Sequence, residues 1–334
     1  MFHQFEGPTA DHVWQQMAQT FREGQKVRGQ PGRGGEAKEM LHAAISIDDP
    51  TQRWVMSRQP PLNVAFAIAE VVWIMNGRSD LAFLEGWNSK LREFVGPKPR
   101  RHGAYGDRLR RHLGLDQMER AYEALSLNPD TRQVALQIWD SSIDLPLSDG
   151  RPSDPDIPCN VLSLLKVRDS RLEWLQILRS NDLFLGVPYN FVQFTYLQEI
   201  MAGWLNIGCG AYHQVSDSLH VYERDKANVV ASDPLPEVPR NTDSLALPRE
   251  LSERAFGELG LKIEQMIAPG LQRDELQGIL VWNEIPKAFQ NLLAVLVAEA
   301  ARRHKWLDIS AMAMSACTNR AYLNLWNRWL TRVS

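Results

Sequence analysis

Apolar residues recur every third or fourth position over residues 10–24, where Val13, Met17 and Phe21 share one face, and this spacing predicts an amphipathic helix. The pattern stops at residues 25–37, whose five glycines or prolines and three basic side chains predict a mobile loop. Residues 61–76 are almost wholly apolar and predict a buried helix opened by Pro61 and stopped at Gly77, with Glu70 as its only charge. Ser79 to Trp87 predicts another short helix, and 133–139 a strand. A proline- and aspartate-rich loop over 145–158 follows. Residues 161–168 and 171–178 then predict two strands joined at Asp169-Ser170. Residues 191–205 carry Val192, Tyr196, Ile200 and Trp204 along one helical stripe, and 211–223 predict one more strand. Helical periodicity resumes over 250–267, 284–303 and 311–332. Strands in the middle and helices at both ends predict an α+β fold without internal repeats.

Composition changes this picture little. The 334 residues are 44% hydrophobic and 23% charged, enough for one large domain or one domain with an extension. A net charge of -3 argues against a nucleic-acid polymer as ligand, although local basic clusters suit a single phosphate. The apolar run at 292–301 is far shorter than the roughly 20 residues of a membrane span. The N-terminus lacks the basic and apolar regions of a signal peptide, so the chain reads as cytoplasmic. Three widely spaced cysteines, Cys159, Cys209 and Cys317, read as free thiols in a reducing compartment. Eleven tryptophans fit either a large core or a stacking surface for a flat ligand.

Three clusters carry candidate chemistry. Cys159, in Asp156-Ile157-Pro158-Cys159-Asn160, follows the proline-rich loop and precedes a strand. It suits a buried structural thiol, or a nucleophile whose thiolate is held by a nearby cation; Arg179 lies one hairpin away. The run 179–190 places Arg179, Ser180 and Asp182 at a strand end, where an arginine fork and a hydroxyl suit a phosphate dianion. Asn190 opens the following helix, either as an N-cap or as an amide matched to the N3–H and O4 edge of uracil. His220 and Tyr222 share one strand face, suited to a sugar hydroxyl or simply half exposed.

Residues 156–222 resemble the core of thymidylate synthase and its nucleotide hydroxymethylase relatives. The Pro-Cys dipeptide, the run Arg-Ser-x-Asp-x-Phe-Leu-Gly-x-Pro-Tyr-Asn and the strand Asp-x-x-His-x-Tyr carry the resemblance. Upstream it takes in Glu-Val-Val-Trp-Ile-Met-Asn-Gly at 70–77, Ala-Tyr-Gly at 104–106 and Asp-Thr-Arg-Gln at 130–133, all in the family's order. The resemblance implies a mixed sheet flanked by helices and a dimer packed sheet to sheet, with the catalytic domain at 1–268 and a helical extension at 269–334. It implies a pyrimidine nucleoside monophosphate as substrate and 5,10-methylenetetrahydrofolate as carbon donor, without a metal. It also implies roles. Cys159 adds to carbon 6 of the ring, and carbon 5 then attacks the one-carbon unit. Arg179 and Ser180 hold the 5′-phosphate, joined by Arg33 from the glycine-rich loop and by Arg132 crossing to the partner's site. His220 and Tyr222 bind the ribose, and Asn190 and Asn160 line the base edge. Glu70 organises water and protons, Tyr105 assists removal of the carbon-5 proton, and Leu91, Asp182 and Gly186 face the folate.

Four departures separate the chain from a methylating synthase. Asn160 stands where Pro-Cys-His is usual, and Leu91, with Phe94 beside it, matches the tryptophan over the folate. Arg132 is followed by Gln133 in place of a second arginine, and a helical extension replaces the C-terminal closing peptide. Hydride transfer needs retained folate and excluded water; a smaller Leu91 and a missing lid favour water, so hydroxymethylation is expected over reductive methylation. Asparagine at 190 points to dUMP or UMP, while an amide flip keeps a cytidine nucleotide open. A catalytically silent, RNA-binding or regulatory relative is the competing class.

Overall fold

The computed structural model describes residues 2–333 apart from 25, 231, 233, 234, 236 and 283. Among the described residues eight strands form one mixed sheet: β1 (His3–Gly7), β2 (Arg28–Gly32), β3 (Gly35–Ile47), β4 (Ala135–Gln137), β5 (Asn160–Arg168), β6 (Arg171–Leu178), β7 (Asn181–Asp182) and β8 (Gly208–Tyr222). The order is β1-β3-β8-β6-β5-β4, with β2 added on β3 and β7 on β8. The β1–β3, β6–β8 and β7–β8 pairs are parallel and the remaining pairs antiparallel. The expected hairpin turn forms, with Asp169 at φ 49° and Ser170 at φ 56°, the left-handed pair that matches strand twist.

The expected mobile loop is instead ordered hairpin. Gln25 lies outside the described residues; residues 28–32 and 35 onward pair as β2 and β3. Local composition misled because the pairing is remote: β3 runs along β8 from Ala37↔Tyr222 to Ile47↔Tyr212. His42, at φ 57°, is skipped in that ladder. Asp217, opposite it on β8, is skipped too, so the register is kept, and Met40 and Ala43, three apart across this irregularity, are both buried. β1 carried no sequence signal that had been recognised.

The helices are α1 (Ala10–Glu23), α2 (Val64–Met75), α3 (Ala82–Glu85), α4 (Leu91–Val95), α5 (Tyr105–Asp107, continuing as a π-turn over Arg108–His112) and α6 (Gln117–Leu127). They continue as α7 (Ser141–Asp144), α8 (Val187–Trp204), α9 (Lys226–Val230), α10 (Arg249–Ile267), α11 (Arg273–Ile279), α12 (Lys287–Arg303), α13 (Leu307–Ala316) and α14 (Arg320–Val333). α2 is opened by Asn63, not Pro61: the Asn63 side chain accepts the Phe66 N–H at 3.0 Å. The helix expected over 79–87 shortens to α3. That expected over 311–332 splits at Cys317, where the backbone turns extended. α8 begins at Val187, so Asn190 is no cap; its N–H bonds the Gly186 carbonyl within the first turn.

Every residue of α2 is buried, with α8, α10, α12 and α14 packed against it. The C-terminal helices therefore share the core of the sheet domain; Leu293, Leu296 and Ala300 of α12 lie within it. The Tyr196 and Tyr322 hydroxyls, 2.7 Å apart and buried, tie α14 to α8. Among the described residues no helix is long and apolar enough to cross a membrane.

Candidate active site

Cys159 sits half-buried at the entry to β5. The neighbouring β6 ends at Leu178, and the next residue continues its pairing: Arg179 donates its backbone N–H to the Cys159 carbonyl at 3.0 Å. The Arg179 guanidinium donates to the Pro158 and Ile157 carbonyls at 2.9 and 3.2 Å. The cation is thus fixed on the two residues before the thiol, as a thiolate site requires. Burial nonetheless pushes the Cys159 thiol up; Arg179 opposes it, while Asp156 and Asp182 add to the rise. The sequence left a buried structural thiol and a cation-held thiolate both open. Burial favours the thiol form in the free protein, with Arg179 positioned to favour ionisation.

A second layer ties Cys159 to Glu70 and Tyr105. Asp156 takes a fork from Arg101 at 2.9 and 3.2 Å and the Gly103 N–H at 3.1 Å. Arg101 also faces Glu70 at 3.9 Å. Glycines make the approach possible: a Cβ on Gly103 would lie 2.7 Å from the Asp156 carbonyl oxygen, and one on Gly106 would lie 2.6 Å from that of Ile74. Tyr105, between them, has its hydroxyl against Asn160 and its ring against Phe194. Burial, with Cys159 beside it, pushes the Tyr105 phenol above its ordinary value, so it stays protonated. Glu70 is raised by burial, with Arg101 and Gln193 opposing. Its Oε2 and the Gln193 Oε1 are buried acceptors without partners among the described residues.

The residues expected at the base edge, Asn160 and Asn190, join an amide row. Asn160 Nδ2 donates to Asn190 Oδ1 at 3.3 Å, and Asn190 Nδ2 donates to Asn181 Oδ1 at 3.0 Å. Gly186 makes the last contact possible, because a Cβ there would stand 2.8 Å from Asn181 Oδ1.

The remaining expected residues divide. Asp182 and His220 meet through the β7–β8 pairing. Asp182 Oδ1 accepts the N–H groups of Phe184 and Leu185, leaving Oδ2 without a hydrogen bond among the described residues. Burial raises this carboxyl against the backbone donors. His220 and Tyr222 pack edge to face at 5.1 Å. The β2–β3 tip folds over Tyr222, whose hydroxyl accepts the Gly34 N–H at 3.4 Å. Arg33, at that tip, donates to the carbonyls of Phe94 (2.5 Å) and Pro155. Ser180 is half-buried and Arg132 exposed, neither with a side-chain hydrogen bond among the described residues. Leu91 is buried in the core, while Phe94 is exposed near Arg33. Sequence reasoning missed Arg101, Asp156, Asn181 and Gln193. Asp156 stood in the motif quoted around Cys159; the basic run before Ala-Tyr-Gly gave no reason to prefer Arg101.

Residues 16–259 match the thymidylate synthase family, well over half of the chain, and the chain belongs to that family. It is similar to the deoxyuridylate hydroxymethyltransferase of Bacillus phage SP01, 35% identical over 213 residues (60% of this chain, 54% of that protein). The protein of the same description from Pseudomonas phage M6 is 34% identical over 194 residues (58% and 53%). The thymidylate synthase of Clostridium beijerinckii is 29% identical over 164 residues (48% and 59%). The chain spans about half the length of the curated relatives it matches.

Proposed function

We propose that the chain is a one-carbon transferase that hydroxymethylates carbon 5 of dUMP. The observation that carries this is the convergence of Cys159, its carbonyl-anchored Arg179, Tyr105 and the Asn160–Asn190 row at one place. Cys159, ionised with help from Arg179, adds to carbon 6 and makes carbon 5 nucleophilic. Neutral Glu70 gives a proton to the developing oxyanion at carbon 4, and Asn190 spans N3–H and O4. Tyr105, as a protonated phenol, orients the water that takes the carbon-5 proton. Arg179, Ser180 and Arg33 hold the phosphate, with Arg132 of the partner subunit, and His220 and Tyr222 hold the sugar. A homodimer is supported by the half-buried patch of Leu164, Leu175, Ile177 and Val215, contiguous across β5, β6 and β8 on the face away from the core.

The open Asp182 Oδ2, with Gly186 beside it, fits a pterin N–H. 5,10-Methylenetetrahydrofolate supplies carbon at the oxidation level of formaldehyde. In hydroxymethylation that carbon and a water oxygen replace the carbon-5 hydrogen, Cys159 is eliminated, and nothing is oxidised or reduced. One feature supports water over hydride as the final reactant: Asn160, in place of an imidazole, is committed to the amide row. α14 reaches the segment 58–61 as a packed helix, Arg328 and Arg332 donating to the Arg58 and Pro61 carbonyls. Tritium release from 5-tritiated dUMP with methylenetetrahydrofolate tests the chemistry. Release that is abolished by Cys159→Ser is expected; no release from wild type, or release that survives the substitution, contradicts covalent catalysis.

A further inference from the structure

An amide has a donor end and an acceptor end, so an asparagine that reads a base is selective only if something stops it turning over. We propose that the indole N–H of Trp174 fixes which way the Asn190 amide faces the base, acting through Gln176 and Asn160, so that these three are specificity-determining positioning residues. The proposal rests on Asn190 reading the base, as argued above.

Trp174 Nε1 donates to Gln176 Oε1 at 3.2 Å. An indole N–H can only donate, so this oxygen must face it. Gln176 therefore turns its nitrogen the other way and donates to Asn160 Oδ1 at 2.9 Å. That leaves Asn160 to donate to Asn190 Oδ1, and Asn190 to donate to Asn181 Oδ1. The far end does not dictate a direction. Asn181 and Gln214 both donate to the Ser216 hydroxyl at 3.2 and 3.1 Å, and Gln214 Oε1 receives the Tyr212 hydroxyl at 3.0 Å. Hydroxyls both donate and accept, so reversal of the row would be absorbed there. Only the indole end is irreversible.

The fold provides the row. Ser163, Gln176 and Gln214 stand abreast on β5, β6 and β8, with Trp174 beside Tyr212 one pair along. Trp174, Gln176, Asn160 and Ser163 are each 0% exposed, so water cannot repair a turned amide and each mismatch leaves a buried group unpaired. Asn190 keeps one N–H and one oxygen lone pair uncommitted. In the fixed orientation these suit uracil, with N3–H donating and O4 accepting. Cytosine, with N3 accepting and N4 donating, needs the reverse.

Ser163 gives the matched control. Its hydroxyl donates to the same Gln176 oxygen at 2.6 Å. Ser163→Ala and Trp174→Phe each delete one buried hydrogen bond to that atom, yet only the second removes the donor-only anchor. Dissociation constants for dUMP and dCMP would be measured by calorimetry on the full chain. The wild type is expected to prefer dUMP. Ser163→Ala should leave that preference unchanged even if stability falls, and Trp174→Phe should reduce it. Gln176→Met, which severs the row, should reduce it by about tenfold or more, the discrimination of one bidentate pair. Retention of the wild-type preference in both Trp174→Phe and Gln176→Met overturns the relay while leaving base reading intact, and so does an equal loss in Ser163→Ala. Binding of neither nucleotide, or equal binding of both, by the wild type overturns base reading and the relay with it.

Discussion

Asp156→Ala tests the layer beneath the cysteine. Asp156 is 9% exposed and the Arg101 side chain 16%, so both charges are largely withdrawn from water. The substitution removes two charge-assisted hydrogen bonds to Arg101 and the one from Gly103. Breaking a buried pair from one side costs about 3–5 kcal/mol, mostly because the survivor is left uncompensated. Glu70, 3.9 Å from Arg101, offers partial relief if it ionises, since two charges about 4 Å apart attract by roughly 4 kcal/mol at an effective dielectric near 20. With the residual exposure of Arg101, this places the expected loss at the lower end, about 3 kcal/mol. Urea unfolding followed by tryptophan fluorescence measures it. The double variant Asp156→Ala/Arg101→Met removes both charges together and should be destabilised less than Asp156→Ala alone. A loss below about 1 kcal/mol in Asp156→Ala, or a double variant worse than the single, would refute the view that this pair holds the site as a buried unit.

Arg179→Gln should slow alkylation of Cys159 by iodoacetamide near neutral pH, because losing the guanidinium leaves the burial-raised thiol higher still; a faster reaction would contradict it. Cys209, pushed up to about 12 by burial, should stay unreactive in both proteins. Glu70 is raised in the folded state, so its contribution is intact at low pH and lost as pH rises through the raised value. Glu70→Gln does not titrate and should therefore gain stability relative to wild type between about pH 5 and pH 8, read from urea midpoints; a flat or falling difference would show that Glu70 is not held neutral.

The elements with local signals were legible: the β5–β6 hairpin through Asp169-Ser170, the apolar α2 and the periodic α10 and α12. What failed depended on remote partners. Residues 28–37 read as a loop because glycine and proline dominate locally, while the ladder to β8 that makes β3 a strand lies about 180 residues away. Asn190 read as a cap because its helix was started too late; Pro188 in the first turn fixes the true start. At the site, motif order gave Cys159, Arg179 and Asn190, and the structure gathers them with Tyr105. Arg101 and Gln176 were invisible because their importance lies in what they face: a carboxylate from one loop and an indole two residues along the same strand. The net rise of the Cys159 thiol was unreadable for the same reason, since burial is a property of the packed whole.

The product itself tests the central claim most directly. Purified protein would be incubated with dUMP and methylenetetrahydrofolate, and the nucleotide weighed by mass spectrometry. The account predicts a gain of CH2O, the 5-hydroxymethyl nucleotide, with tetrahydrofolate formed alongside. A gain of CH2 with dihydrofolate would contradict it, making the chain a methylating synthase despite Asn160, Leu91 and the helical C-terminus.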